Sequence, residues 1–208
     1  MALIENLIKD GWLRTSLIID AFQKVKRADF LPEDMKEMAG INEALPIGDG
    51  QTISQPLVVV FMLEHLQPQK GQKILDIGAG SGWTTALLAE IVGEKGRVIG
   101  IEIVERLREF GERNIRKYDF IESGIVKFIQ GDGKKGYIEE APFDRILCSA
   151  SVQKEIPKAW KDQLKVGGIM VTPVNSSIWV LIKESEDNFK EIEYPGFAFV
   201  PLIGEGEQ

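Results

Sequence analysis

Residues 73–83, KILDIGAGSGW, decide how the rest of this chain is read. Ile74-Leu75-Asp76-Ile77 is an apolar run of the length of one buried strand. Gly78-Ala79-Gly80-Ser81-Gly82 breaks that run, and residues 83–88 continue with helical spacing. Strand, glycine loop and helix together suit a nucleotide: glycines let the backbone come close to a ligand, and a helix N-terminus offers unpaired N–H groups. An NAD fingerprint would place a further glycine where Trp83 stands. The departure points away from a phosphate-bearing dinucleotide and toward a bulkier adenosine ligand without pyrophosphate. A tight strand-to-helix turn with no ligand accounts for the same residues, so the loop needs support from elsewhere.

Downstream, apolar strands alternate with helices. The strands are expected at 74–77, 97–101, 125–129, 144–149, 168–172 and 178–183, and the helices at 84–92, 104–118 and 157–164. This is the pattern of an α/β, doubly wound, mostly parallel sheet covered on both faces. Only residues 173–177 link the last two strands. No helix fits there, so one strand near the C-terminus runs antiparallel. The tail, residues 205–208, is expected to fray.

Upstream, residues 1–70 read differently. Residues 3–13 and 16–25 carry apolar residues at helical spacing, with Thr15 or Ser16 placed to cap the second helix. Pro32-Glu33-Asp34 reads as a helix first turn and Gly40 as its end. Residues 44–55, ALPIGDGQTISQ, form an irregular stretch poor in charge, and Pro56 then opens an apolar helix through residue 66. Thr52 and Ser54 offer hydroxyls on either side of Ile53, although Ser54 also suits the cap of the following helix. Residues 1–70 are thus a helical cap and residues 71–208 a ligand-binding core, within one structural domain.

Composition narrows the function classes. The chain has 208 residues, 44% of them apolar and 27% charged, and a formal net charge of −7. That is the balance of a globular protein with a substantial core, and it argues against a general affinity for nucleic-acid backbone. The one cysteine, Cys148, lies in an apolar run. It reads as a structural thiol and excludes a disulfide framework or a multi-cysteine metal site. The one histidine, His65, falls near a helix end rather than in a catalytic setting. No signal peptide core or membrane-length apolar run is present, so a cytoplasmic protein without membrane attachment is expected, working as a monomer and without metal.

Two more strand ends give the glycine loop its support. The second strand ends Gly100-Ile101-Glu102, where an acidic side chain can accept both hydroxyls of an unphosphorylated ribose. The third ends Gln130-Gly131-Asp132-Gly133, where the Asp can accept an N–H from an adenine amino group. Glu102 as solvated surface and Gly131-Asp132-Gly133 as an ordinary turn are the plain alternatives.

LDIGAGSG, GIE and GDG at three successive strand ends resemble the class I S-adenosylmethionine-dependent methyltransferases. The remainder resembles one branch of them, the protein-L-isoaspartate O-methyltransferases. The matching segments span nearly the whole chain: Phe30-Leu31-Pro32, Leu45-Pro46-Ile47-Gly48, GQTISQP at 50–56, Ala141-Pro142-Phe143-Asp144, Gln163-Leu164-Lys165 with Gly167-Gly168, and Phe199-Val200-Pro201-Leu202. GQTISQP is the most specific, because general methyltransferases have no such segment. The resemblance implies a seven-stranded sheet with its last strands out of parallel order and a cap carrying the TIS segment. It also implies methylation of the abnormal carboxylate of L-isoaspartyl residues in damaged proteins and peptides, with S-adenosyl-L-methionine as cofactor. By that resemblance Ser54 is the active-site serine, and Gln51, Thr52 and Ile53 line the methyl-donor end. Asp76, Gly78, Ala79 and Gly80 would hold the methionine portion, Glu102 the ribose, and Asp132 with Gly133 the adenine. The chain departs from the family pattern at Asn42 in Gly40-Ile41-Asn42, at Asp49, along residues 148–157 and at Ile203, all toward the substrate side. A divergent methyltransferase for another carboxylate or small molecule, and a non-catalytic S-adenosylmethionine-binding module, are the competing expectations.

The chemistry accords with what the chain lacks. A carboxylate with a reference pKa of about 4 is already ionised at neutral pH and needs no base before it attacks a methyl sulfonium. Alignment and exclusion of water are then the protein's tasks, and alignment alone can be worth roughly 7–11 kcal/mol. Ser54 is read as orienting the carboxylate rather than attacking, since a serine nucleophile would need an activating base.

Overall fold

In the computed structural model, which describes residues 2–206, the alternation becomes one seven-stranded sheet. The N-terminal helices α1 (Ala2–Lys9) and α2 (Ser16–Lys24) are followed by two 3-10 segments, Arg27–Phe30 and Glu33–Gly40. A short hairpin, β1 (Leu45–Gly48) and β2 (Gln51–Ile53), leads into α3 (Pro56–Leu66). Then come β3 (Lys73–Ile77), α4 (Trp83–Val92), β4 (Arg97–Glu102), α5 (Glu105–Arg116), β5 (Val126–Gln130) and β6 (Phe143–Cys148). The chain finishes through α6 (Lys158–Gln163), β7 (Leu164–Val174), β8 (Ser177–Lys183) and β9 (Phe189–Pro195).

The strand order is β5-β4-β3-β6-β7-β8-β9. The pairs from β5 through β7 are parallel, and β8 is antiparallel to both β7 and β9. The chain moves outward from β3 to β5 and then returns to place β6 against the other side of β3. The crevice of an open α/β sheet lies at such a reversal, beyond the carboxyl ends of the strands. Alternate strand residues feed two cores. Ile74, Val98, Leu147 and Val171 face α3, α4 and the cap, whereas Leu75, Ile99, Ile146 and Met170 face Trp160 of α6. The β7–β8 link turns through Asn175 in the left-handed region, φ 52°, which lets two residues reverse the chain.

Several local expectations change. Residues 44–55 are not irregular: their centre is the β1–β2 hairpin. The helix read after Pro32 is a 3-10 segment with no buried residue. Thr15 does not cap α2 with its own side chain; Glu64 of α3 accepts from the Thr15 and Arg14 N–H groups (2.8 Å each) and from the Thr15 hydroxyl (2.7 Å). Nor does Ser54 cap α3, since Asn42 Oδ1 accepts the Leu57 N–H at 3.0 Å. Of the tail, Glu205 is tied by Lys135 (2.6 Å) and by its own N–H to Asp132 (3.3 Å). Residues 207–208 lie outside the described residues.

Candidate active site

The glycine loop is set by contacts on both sides. The Gly78 and Ala79 N–H groups both donate to the Ile101 carbonyl at 3.0 Å, so the loop leaves β3 pinned to the end of β4. Gly80 has φ +53°, a left-handed conformation that costs a glycine little. Behind it, α5 comes unusually close: a Cβ on Gly111 would stand 2.7 Å from the Gly80 carbonyl oxygen. Asn114, also on α5, donates to the Ser81 carbonyl at 3.1 Å.

Glu102 completes the loop. It is buried, one oxygen accepting the Gly80 N–H at 2.8 Å and the other the Val104 N–H at 2.9 Å. Burial pushes its carboxyl above the ordinary range, and the Val104, Gly80 and Ile103 N–H groups pull against that rise. Two backbone bonds leave lone pairs on both oxygens for donors from a ligand.

A cleft of about 640 Å³, counting its open mouth, lies over these strand ends. One wall is Gly78, Ala79, Gly80 and Glu102; the facing wall is Ile47 and Gln51, Thr52, Ile53 and Ser54 of the cap. The third side is Ser149 and Ala150 with Val200, Pro201, Leu202 and Ile203. These two segments are joined by a Ser151 N–H to Val200 bond and a Leu202 N–H to Ser151 bond, 2.8 Å each. Ser149 and Ala150, from the stretch 148–157, are thereby built into the cleft wall. Among the described residues no lysine or arginine lines the cleft, and Glu102 is its one ionisable side chain. Such a lining is ill-suited to phosphates and well-suited to a ligand carrying a diol and a positive charge.

The remaining expected residues sit differently. Asp76 does not line the cleft. It is fully buried behind the loop, Oδ2 accepting the Thr84 (2.8 Å) and Thr85 (2.6 Å) hydroxyls and Oδ1 without a partner. Burial pushes its carboxyl up to about 6, against the pull of the Thr85 and Thr84 hydroxyls. Asp132 and Gly133 also lie outside the cleft lining. Asp132 accepts the Lys134 N–H (2.9 Å) and, more weakly, the Glu205 N–H (3.3 Å). One bond to each oxygen leaves lone pairs on both for a further donor such as an adenine amino group. Cys148 is a buried thiol pushed up to about 12 by desolvation, and His65 stacks on Phe61 with Nδ1 against the Phe61 carbonyl. Both are structural.

Sequence reasoning missed Arg27, Asn42 as a cap, and Arg106, whose Nε donates to Asp49 at 2.7 Å and ties the hairpin tip to α5. A guanidinium that bonds only backbone carbonyls leaves no pattern in side-chain spacing.

Comparison with known proteins agrees with this geometry. The family described as protein-L-isoaspartate(D-aspartate) O-methyltransferase (PCMT) matches residues 1–207. A protein-L-isoaspartate O-methyltransferase from Methanopyrus kandleri is 42% identical over 207 residues, covering 98% of this chain and 90% of its own. One from Thermococcus sibiricus is 43% identical over 211 residues, covering 99% and 93%. Among solved structures, one described as a protein-L-isoaspartate O-methyltransferase superposes with TM-score 0.87 at 28% identity, over 98% of this chain and 65% of that one. The Plasmodium falciparum protein crystallised with S-adenosyl-L-homocysteine has the same fold, TM-score 0.87 at 24% identity over 97% of each chain. With a family match over nearly its whole length, this chain belongs to the protein-L-isoaspartate(D-aspartate) O-methyltransferase family.

Proposed function

We propose that the cleft carries out S-adenosyl-L-methionine-dependent methylation of L-isoaspartyl carboxylates in damaged proteins and peptides, with Ser54 orienting the acceptor. One observation carries the residue assignment: Ser54 and the TIS segment line the same cleft as Gly78, Ala79, Gly80 and Glu102. The lining fits the cofactor, offering a buried carboxylate for a ribose diol, a close-approach glycine loop, and no cation to repel a sulfonium.

When bound, S-adenosyl-L-methionine supplies an activated methyl group at a sulfonium. Gly78, Ala79 and Gly80 receive its methionine portion along their backbone, and Glu102 accepts from the ribose. Asp76 acts from behind the loop through Thr84, which does reach the cleft. Asp132 and Gly133 close the adenine end. Gln51, Thr52 and Ile53 exclude water from the methyl end, and the Ser54 hydroxyl, which has no protein partner among the described residues, donates to one oxygen of the acceptor. The other oxygen would be the one left to take the methyl group, the S–CH3 bonding pair leaving with sulfur, and no base among these residues would be needed. Ser149, Ala150 and residues 200–203 form the side on which the peptide enters. Residues 1–70 serve as the cap and 71–208 as the cofactor-binding core. The protein acts as a cytoplasmic monomer, with no nucleic acid or membrane partner. The net charge of −7 argues against a general affinity for nucleic-acid backbone, and among the described residues no helix is long and apolar enough to cross a membrane.

Paired initial rates on an isoaspartyl peptide and its aspartyl counterpart, read as S-adenosylhomocysteine release, test the activity. Turnover of the first alone is expected; equal rates on both would reject the substrate assignment. Ser54→Ala is expected to lower kcat/KM by about 10- to 100-fold, the worth of one hydrogen bond to a charged group, with S-adenosylhomocysteine affinity kept. Lost affinity with unchanged kcat would show that the role is misassigned.

A further inference from the structure

The β1–β2 hairpin that carries the TIS wall leaves the body of the protein on one leg and returns on another, and a single side chain holds both. Arg27 Nη1 donates to the carbonyls of Ala39 (3.3 Å) and Ile41 (2.9 Å). Its Nη2 donates to the carbonyls of Glu43 (2.7 Å) and Ser54 (3.2 Å). The first three lie on the outgoing leg. The fourth belongs to the residue read as orienting the acceptor.

Arg27 is 7% exposed, and no carboxylate pairs with it among the described residues. Burial alone pushes its guanidinium down to about 10, so it stays cationic at neutral pH. Its planar face lies over the Trp83 ring, 5.4 Å to the centroid, and Trp83 also lines the cleft. A buried cation without a counter-charge is costly unless dipoles replace its hydration, and here four carbonyls do so at the two Nη groups while Nε is left without a partner. A clamp that needed only to hold helices together could be built from apolar side chains. What the planar fork adds is a fixed distance between two backbone segments. Asn42 makes a second tie at the same place: its side chain accepts the Leu57 N–H at 3.0 Å, and its carbonyl accepts from the Gln55 side chain at 2.9 Å. Residues 54 and 55 are thus held from the outgoing leg on both sides.

We propose that Arg27 is a positioning residue for methyl transfer, fixing the Ser54 backbone at the cleft by clamping both legs of the hairpin, with Asn42 as its auxiliary. This rests on the reading of Ser54 as the residue that orients the acceptor. Arg27 touches neither substrate nor cofactor. It acts through Ser54 and leaves the strand-end wall alone.

The test is a double-mutant cycle in the full-length enzyme. Arg27→Lys keeps the charge but replaces a fork spanning both legs by one compact ammonium. In folded Arg27→Lys, assayed well below its melting temperature, kcat on an isoaspartyl peptide is expected to fall at least tenfold. The Kd for S-adenosylhomocysteine is expected to stay within about threefold of wild type. In a Ser54→Ala background the same substitution is expected to change kcat by less than threefold, because the group it positions is gone. A merely structural arginine would lower the melting temperature, leave the kcat of folded enzyme within twofold, and act equally in both backgrounds; that pattern overturns the proposal while leaving Ser54's role standing. If Ser54→Ala alone leaves kcat unchanged, the reading of Ser54 fails and the positioning role falls with it. Should Arg27→Lys not fold, Asn42→Ala decides: a kcat loss of at least threefold with cofactor affinity kept supports the clamp, and unchanged kcat overturns it.

Discussion

Replacing Glu102 by glutamine probes the cofactor wall with little change in shape. In the protein one carboxylate oxygen accepts the Gly80 N–H at 2.8 Å and the other the Val104 N–H at 2.9 Å. A glutamine offers one oxygen to those two donors, so its NH2 must face one of them. A buried N–H left without an acceptor costs about 1–3 kcal/mol. At about 1.4 kcal/mol per tenfold, a binding equilibrium that needs the loop intact weakens by roughly 5- to 150-fold. Isothermal titration of wild type and Glu102→Gln with S-adenosylhomocysteine reads that loss as a raised Kd. With cofactor saturating, kcat should fall by less than about threefold, since nothing at the acceptor end has changed. A Kd within twofold of wild type would refute the assignment of Glu102 to the ribose.

Acidity supplies a second axis for the same variant. Burial holds the Glu102 carboxyl above its ordinary range. The folded protein therefore keeps that proton to a higher pH than the unfolded chain does. Ionising Glu102 removes stability as pH rises from the unfolded value through the folded one, and the loss is level above it. A ligand whose hydroxyls donate to the ionised carboxylate offsets the loss, so wild-type affinity should fall on acidification through the folded value. That component of the pH dependence should be missing in Glu102→Gln. Identical pH profiles in the two proteins would remove the carboxylate from cofactor binding.

Three further outcomes follow from contacts around the site. Gly111→Ala places a Cβ 2.7 Å from the Gly80 carbonyl oxygen and 2.8 Å from the Phe128 ring. Overpacking of this kind costs about 1–3 kcal/mol, read as a lower melting temperature together with weaker S-adenosylhomocysteine binding, and wild-type values for both would show that α5 is free to move aside. Arg106→Ala breaks the 2.7 Å pair with Asp49 at the hairpin tip, where the partners are 65% and 37% exposed. Urea unfolding should register less than about 1 kcal/mol, shrinking with salt, and a loss beyond 2 kcal/mol would contradict an exposed, solvent-screened pair. Asp76, raised from 3.8 to about 6, should make wild type lose about 3 kcal/mol relative to Asp76→Asn as pH rises from about 4 to 6, with no further change above. Parallel denaturation curves across that interval would show that its carboxyl is not perturbed.

How much could be read beforehand depended on whether a feature leaves a side-chain period. The parallel strands did, because burial on both faces makes them continuous apolar runs. β9 did not: Phe189-Lys190-Glu191-Ile192-Glu193-Tyr194 mixes charge with apolar residues because it is an edge strand, so the resemblance implies a seventh strand but the residues do not locate it. The hairpin reads as irregular chain because its strands are four and three residues long, too short to alternate visibly, and Pro46 interrupts the first. Asn42 marks a milder failure. The sequence marks it only as a departure from the family pattern, and its amide oxygen accepts the Leu57 N–H. Arg27 lies near Lys24 and Lys26, which are exposed, and nothing in the order of side chains separates it from them. Its partners are four carbonyls, and every residue has a carbonyl.

The cleft's lining also bears on a selectivity problem that the chemistry creates. A sulfonium next to two carboxyl groups, the acceptor's and Glu102's, has two candidates for methylation. Geometry separates them. Each Glu102 oxygen is held by a backbone N–H from a different strand end, and under the proposed assignment its remaining lone pairs serve the ribose hydroxyls. Turning one of them toward the methyl group would break a bond at 2.8 or 2.9 Å and expose a buried N–H, at about 1–3 kcal/mol. The acceptor meets the opposite condition, a wall of Gln51, Thr52, Ile53 and Ser54 with the Ser54 hydroxyl assigned to orient it and no cation to stabilise its charge before transfer. An ester leaves such a site more readily than the carboxylate entered it, because the hydrogen bond that oriented an anion is weaker to a neutral product. Placing a lysine at Thr52, at the exposed edge of that wall, should therefore tighten the anionic substrate and raise the barrier to losing its charge: KM and kcat both fall. If kcat were unchanged with KM lowered, loss of charge in the transfer step would not be felt at that wall.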